Sequence, residues 1–146
     1  AKAVAFGEAL KPEFKDYQTQ VIKNCKTLEN KFRAADIKMV SDGTDNHLIM
    51  IDITPLGLSG KEAETLLDQV NIFTNKNMIP FDKRTPFNPS GIRLGTAALT
   101  SRGLKEKEIA IIADILIDTL KTKQATEENK NKIVNLMKQF ELYPEL

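Results

Sequence analysis

One arginine between two glycines is the pattern in this chain with the clearest chemical use. Residues 91–95 read Gly-Ile-Arg-Leu-Gly, and because strand side chains alternate, Arg93 faces away from its two apolar neighbours. Its guanidinium is a planar fork that matches a carboxylate with two parallel hydrogen bonds. The glycines have no Cβ, so a ligand or another backbone can approach on either side. The pattern indicates a binding site for a small carboxylic acid.

The same five residues have a simpler interpretation, in which Arg93 is an ordinary strand arginine paired with an aspartate or glutamate. Two other polar residues leave similar alternatives. His47 is the only histidine and opens an apolar stretch, where a structural histidine with satisfied hydrogen bonds is favoured over a catalytic base. The sequence shows no partners that would complete a metal site around it. Asn77 could bind the edge of a heterocycle or satisfy a turn with its amide.

Four helices are predicted from apolar residues at steps of three and four. The first covers about 13–35, after a break at Pro12. The second begins at Ser59, which forms a capping box with Glu62. The last two occupy the C-terminal part, and Thr126 begins the second of them. Their apolar stripes are Phe14, Tyr17, Val21, Cys25, Leu28 and Phe32; Ala63, Leu66, Leu67 and Val70; Ile109, Ile112, Ala113, Leu116 and Leu120; and Ile133, Leu136, Met137 and Phe140.

Three short strands are predicted between these helices. They cover 47–53, 72–74 and the residues around Arg93, and an irregular loop with three prolines over 75–89 leads into the third strand. Three strands cannot close a barrel, so the helices must cover one face of the sheet. We therefore expect a two-layer α+β fold with a short, mainly antiparallel sheet and one sheet face left available.

Composition narrows the classes of function. The chain has 146 residues and a formal net charge of +1, from 21 basic and 20 acidic residues. This fits one domain and gives no strong field to attract nucleic acid or a membrane surface. We expect a soluble cytoplasmic protein, because no apolar run could span a membrane and no signal-peptide pattern is present. Cys25, the only cysteine, excludes an internal disulfide and is expected to be a buried structural thiol.

Two long segments in the right order, 44–52 and 87–103, closely resemble the C-terminal domain of serine hydroxymethyltransferases. Residues 1–10 look like the helix that joins the large cofactor domain of those enzymes to their small domain, so the resemblance covers essentially the whole chain. It implies a linking helix over 1–12 and, over 13–146, the small domain of a fold-type I pyridoxal-phosphate enzyme. The large domain that binds pyridoxal phosphate would lie outside this chain.

The resemblance also implies roles for particular residues. Arg93 matches the arginine that binds the α-carboxylate of serine or glycine. Asn77 matches an asparagine that contacts the pteridine ring of tetrahydrofolate. Thr85, Pro86 and Phe87 match a Ser-Pro-Phe segment at the folate site, and Thr85 keeps the hydroxyl of the commoner serine.

Enzymes of this family interconvert serine plus tetrahydrofolate and glycine plus 5,10-methylenetetrahydrofolate, with pyridoxal phosphate as the electron sink. The family's Schiff-base lysine belongs to a threonine-rich segment that ends in His-Lys, and no such segment occurs here. We therefore expect no catalytic residue in this chain and no activity from the chain alone. The expected partners are serine or glycine, tetrahydrofolate and the large domain, in a homodimer or larger assembly, without nucleic acid or membrane.

Two other interpretations stay open at this point. The chain could be the small domain of a different pyridoxal-phosphate enzyme, such as an aminotransferase, in which Asn77 and 85–87 have no folate role. It could also be a free-standing module that binds an amino acid for regulation. Exposed Val4, Phe6 and Leu10 on the first helix would argue against independence, because they need a partner surface.

Overall fold

The computed structural model describes residues 1–141, and at its centre lies a three-stranded antiparallel sheet. The strands are β1 (Leu48–Asp52), β2 (Asn75–Asn77) and β3 (Gly91–Gly95), in the order β1-β3-β2. Residues of β3 therefore have a partner on each side: Arg93 lies opposite Met50 of β1 and opposite Asn75 of β2. The predicted short antiparallel sheet is confirmed, and Arg93 occupies its middle strand.

Within residues 1–141, six α-helices accompany the sheet, and several begin where the sequence indicates. Pro12 is the first residue of α2, a position that needs no backbone donor. Ser59 and Glu62 form the predicted capping box: the Ser59 amide donates to the Glu62 carboxylate at 2.7 Å, and the Glu62 amide donates to Ser59 Oγ at 3.2 Å. The helices are α1 (Lys2–Ala9), α2 (Pro12–Ala34), α3 (Gly60–Gln69), α4 (Ala97–Ser101), α5 (Glu106–Thr122) and α6 (Glu127–Met137).

The core lies between the sheet and the helices α2, α3 and α5. Alternate strand residues enter it, and helix residues at steps of three and four meet them. The largest fully buried side chains are Phe32, Ile49, Ile51, Ile53, Leu67, Ile92, Leu104, Ile109, Leu116 and Leu120. This arrangement is the predicted two-layer α+β fold, with helices on one sheet face.

The second predicted strand is wrong. Residues 72–74 form no strand; β2 begins at Asn75, inside the segment expected to be irregular. Asn71 has a φ of 61°, which turns the chain after α3, and the Ile72 amide donates to the Leu67 carbonyl at 2.9 Å. Ile72 is thus a buried residue of the turn that ends α3. Because buried apolar residues are also typical of strands, the sequence pattern predicted a strand here.

Helix α1 contributes nothing to this core. It has no buried residue, and Val4, Phe6 and Leu10 at its apolar positions are 65%, 69% and 88% exposed. No helix within residues 1–141 is long and apolar enough to cross a membrane.

Candidate functional site

Arg93 projects from the sheet face that the helices leave open. Its neighbours Ile92 and Leu94 are buried, whereas Arg93 is exposed. Within residues 1–141, no carboxylate forms an ion pair with it. The simpler interpretation, an arginine engaged by an acidic neighbour, therefore does not describe this residue. Its donor fork is available to a ligand.

The glycines of β3 make room for the protein's own side chains. A Cβ on Gly91 would lie 2.6 Å from Ile79 Cγ2, and a Cβ on Gly95 would lie 3.1 Å from Leu48 Cδ2. Both distances are too short for an ordinary contact, so Ile79 and Leu48 can pack there only because the glycines lack a side chain. The expected approach of a ligand over these glycines is thus corrected: apolar side chains occupy both places, on either side of Arg93 along the strand.

A cleft of ≈ 440 Å³ lies beside Arg93, between β1, α2 and the segment 40–46. Glu29 of α2 organises its polar wall, since its carboxylate accepts from Lys26 Nζ at 2.8 Å and from the Thr44 amide at 3.1 Å. The hydrogen bond from Lys26 lowers the pKa of Glu29, against the opposing effect of burial. Among residues 1–141, the cleft therefore has at its edge an arginine without an ion-pair partner and in its wall a carboxylate that Lys26 and Arg33 already neutralise, which suits a ligand that carries a carboxylate.

A buried polar network holds the end of β3 that leads into α4. Thr96 Oγ1 donates to the Val21 carbonyl at 2.9 Å, and Asn24 Nδ2 donates to Thr100 Oγ1 at 2.8 Å and to the Leu104 carbonyl at 2.9 Å. These bonds join α2 to α4 and so fix the strand that carries Arg93. Sequence patterns do not reveal the network, because its members lie 75 or more positions apart.

Asn77 shares the open sheet face with Arg93. It lies opposite Gly91, two residues along β2 from the partner of Arg93, and such diagonal neighbours are roughly 7–8 Å apart at Cα. Its amide donates to the Met78 carbonyl at 3.0 Å and lies 3.9 Å from Met50 Sδ. The structure thus brings Asn77 and Arg93 to one surface, although Asn77 does not line the cleft.

Thr85, Pro86 and Phe87 lie on the outside of the loop between β2 and β3. All three are exposed, Phe87 to 87%, and the Asn88 amide donates to the Thr85 carbonyl at 3.0 Å. None of them lines the cleft beside Arg93. Arg93 is therefore the only one of the predicted site residues that does, and the loop forms a separate surface.

Asp82 organises this loop, and the sequence analysis missed it. Oδ2 accepts from the amides of Ser90 at 2.8 Å and Ile79 at 3.3 Å; Oδ1 accepts from the Arg84 amide at 2.9 Å and from Ser90 Oγ at 2.6 Å. Burial opposes ionisation, but these bonds lower the pKa of Asp82 from 3.8 to about 2. Aspartate is a typical turn residue, and its position two residues after a loop proline could have pointed to Asp82 in the sequence.

The pKa of Asp82 makes a prediction about stability. Because the folded-state pKa lies below the unfolded value, ionised Asp82 stabilises the fold fully above about pH 5, and this contribution of about 1–2 kcal/mol is lost as the pH falls from 4 to 2. Urea denaturation of wild type and Asp82→Asn at pH 6 and pH 3 measures it. We expect the difference in free energy of unfolding between wild type and Asp82→Asn to be about 1 kcal/mol smaller at pH 3 than at pH 6. A difference that is independent of pH would contradict the assignment.

Two residues of the sequence analysis remain, Cys25 and His47. Cys25 is buried, as expected. His47 is exposed, and its side chain has no hydrogen-bond partner in the part of the chain that the structure describes, so its role stays a prediction. Only its carbonyl has a structural role, accepting from the Thr96 amide at 3.2 Å. Over residues 1–141, no group of three His, Cys, Asp or Glu side chains could hold a metal ion.

The lysines within 1–141 do not fit a site for a covalently bound aldehyde cofactor. Each of them is at least partly exposed, whereas a Schiff-base lysine requires a desolvated pocket or a neighbouring cation to lower its pKa. The more shielded ones pair with carboxylates: Lys26 with Glu29, and Lys76 with Glu64, each at 2.8 Å. The surroundings of these lysines therefore do not fit a Schiff base with an aldehyde cofactor.

Fold and site together define a class of protein: a small α+β domain with an arginine on the open face of its sheet that has no ion-pair partner among residues 1–141. Comparison with known proteins narrows this class. A family model described as serine hydroxymethyltransferase matches residues 1–116. The chain belongs to the serine hydroxymethyltransferase family, which confirms the resemblance drawn from the sequence.

Three similar proteins carry the same name. The chain is 49% identical to a serine hydroxymethyltransferase of Prochlorococcus marinus over 98% of its length. It is 47% identical to those of a Nostoc species and a Cyanothece species, over 99% and 100% of its length. In each case it spans 35% of the relative's length.

Proposed function

We propose that this chain is the C-terminal small domain of a serine hydroxymethyltransferase, in which Arg93 binds the α-carboxylate of serine or glycine. One observation carries the proposal: the exposed guanidinium of Arg93, which has no ion-pair partner among residues 1–141, lies on the open sheet face beside a polar cleft. The whole enzyme would interconvert serine plus tetrahydrofolate and glycine plus 5,10-methylenetetrahydrofolate.

In this proposal the chain does the work of binding and orientation. Arg93 holds the carboxylate with two charge-assisted hydrogen bonds, which fixes the amino acid in one orientation. Leu48 and Ile79 occupy the space beside the two glycines that flank Arg93 along β3. Pyridoxal phosphate supplies the electron sink in this family, and we assign its binding and the proton-transfer groups to the rest of the enzyme. The chain alone is then inactive.

The folate roles of Asn77, Thr85, Pro86 and Phe87 belong to the same proposal. Asn77 offers donors and an acceptor on the face that carries Arg93, and Phe87 offers an exposed aromatic surface for a ring. The family model covers both positions, which favours folate over the aminotransferase and regulatory interpretations.

The exposed apolar residues of the N-terminal segment support the proposed domain organisation, with 1–12 as a linking helix and 13–146 as the small domain. Val4, Phe6 and Leu10 would be covered by the large domain, since they have no partner among residues 1–141. We further propose a homodimer or larger assembly in the cytoplasm, on the basis of family membership alone.

A chimera tests the proposed function. The corresponding C-terminal third of the Prochlorococcus marinus relative is replaced by this chain, and serine-to-glycine conversion is measured with tetrahydrofolate. We expect activity well above that of the truncated relative, and loss of it when the inserted chain carries Arg93→Ala. A folded chimera that binds pyridoxal phosphate and shows no conversion would overturn the proposal.

Asn77→Ala separates the folate role from the amino-acid role. In the full-length enzyme we expect tetrahydrofolate binding to weaken by about 1–3 kcal/mol, the cost of lost hydrogen bonds to a polar ring, while the Kd for serine changes less than about twofold. Isothermal titration with each ligand measures this. Asn131→Ala, on the exposed side of α6, is the control and should change neither. Equal losses for serine and folate would refute the assignment.

A further inference from the structure

We propose that Asp82 is a positioning residue for folate binding: its carboxylate holds the loop 79–90 in the one conformation that presents Thr85, Pro86 and Phe87 to the ligand. Asp82 itself does not touch the folate. The inference rests on the proposed function and adds to it the residue that sets the shape of the folate surface.

The carboxylate of Asp82 connects three parts of the loop at once. It accepts from the Ile79 amide at the beginning, from the Arg84 amide in the middle, and from the amide and hydroxyl of Ser90 at the end. Four donors thus converge on two oxygen atoms. The folate segment lies between the second and third of these anchors, so its path is determined at both ends.

The anchor at Ser90 belongs to the rigid part of the fold. Ser90 is buried, and its carbonyl accepts from the Ile53 amide at 3.0 Å, while the neighbouring Pro89 carbonyl accepts from the Gly60 amide at 2.7 Å. Gly91, the next residue, begins β3. Asp82 therefore connects an exposed loop to the strand that carries Arg93. It thereby fixes the position of the proposed folate surface relative to the proposed carboxylate site.

The loop needs such a fastening. Phe81 has a φ of 59° and is 100% exposed, although the left-handed conformation is unfavourable for a bulky residue. No burial of its ring compensates for this cost. The hydrogen bonds to the adjacent Asp82 carboxylate do, because the turn at Phe81 directs Asp82 back toward Ile79 and Ser90.

An asparagine cannot make the same set of bonds. Oδ1 of Asp82 accepts from the Arg84 N–H, and Oδ2 accepts from the N–H groups of Ile79 and Ser90. Either orientation of an amide side chain places its NH₂ against at least one of these donors. Asp82→Asn is therefore a nearly isosteric test of the carboxylate.

The experiment measures steady-state kinetics and trypsin cleavage in the full-length enzyme. For Asp82→Asn we expect the KM for tetrahydrofolate to rise about tenfold, with kcat at saturating folate and the Kd for serine unchanged within about twofold. Lys83 and Arg84 provide trypsin sites inside the loop, and cleavage there should become at least several-fold faster. A merely structural role would lower the active fraction, and hence kcat, without moving the KM.

Two further variants keep the test decisive. Ser90→Ala removes one of the four bonds and should raise the folate KM by a smaller factor, which provides the measurement if Asp82→Asn fails to fold. Asp16→Asn, an equal change of charge on the exposed surface of α2, should change nothing. If Asn77→Ala weakens folate binding and neither Asp82→Asn nor Ser90→Ala does, the positioning role is wrong while the proposed function stands. If the wild-type enzyme does not bind tetrahydrofolate, the proposed function itself fails.

Discussion

Replacing Arg93 by alanine in the full-length enzyme is expected to lower kcat/KM for serine by two to three decades or more, equivalent to about 3–5 kcal/mol. The reason is the loss of a two-pronged contact that leaves the substrate carboxylate desolvated without a partner. Arg93→Lys should recover little of this, since a single ammonium cannot reproduce the planar fork. Steady-state kinetics with serine as the varied substrate measures the effect.

The control for this experiment removes a cation elsewhere. Lys107 is exposed on α5 and does not line the cleft beside Arg93, and Lys107→Ala should leave kcat/KM for serine unchanged. If Arg93→Ala binds serine normally while Asn77→Ala does not, both assignments are wrong. The aminotransferase and regulatory interpretations would then have to be considered again.

The second large effect concerns the core. Phe32 lies on the apolar stripe of α2 and is 0% exposed, so Phe32→Ala should lower the free energy of unfolding by about 3–5 kcal/mol through lost burial and the cavity left behind. Phe6→Ala is the matched control: its ring is 69% exposed on α1, and its removal should cost less than about 0.5 kcal/mol. Urea denaturation of the purified chain measures both. Comparable losses for the two variants would contradict the described core.

The sequence pattern predicted correctly those elements that are determined by residues close together in the chain. The stripe from Val21 to Phe32 required a helix with one buried side, and Ser59 with Glu62 marked the start of α3, because a capping box joins residues only three apart. The outward direction of Arg93 followed from the alternation of strand side chains. These features need no knowledge of the rest of the chain.

The elements that were missed depend on distant partners. Residues 75–77 read Asn-Lys-Asn and lack apolar alternation, yet they form β2 because β3 offers them a paired edge. The five-residue helix α4 is held to α2 by Asn24 and by Tyr17, whose hydroxyl donates to the Ala97 carbonyl at 3.0 Å. Tertiary contacts of this kind override local propensity.

The candidate site likewise combines features that local sequence predicts with features that depend on distant residues. The type and direction of Arg93 could be predicted, but the occupants of the space above Gly91 and Gly95 could not, because Ile79 and Leu48 reach them from other parts of the chain. Asp82 escaped notice for a related reason. Three of its four donors are backbone amides, which every residue except proline carries and which leave no pattern in a sequence.

The most direct test of the central claim compares two ligands in two proteins. Serine and serinamide differ in the carboxylate that Arg93 is proposed to bind, and their Kd values are measured by titration with the wild-type full-length enzyme and with Arg93→Ala. We predict that the wild type prefers serine by about two decades and that Arg93→Ala loses nearly all of this preference, because the guanidinium is what distinguishes the charged from the neutral group. A preference of equal size in both proteins would show that another residue binds the carboxylate.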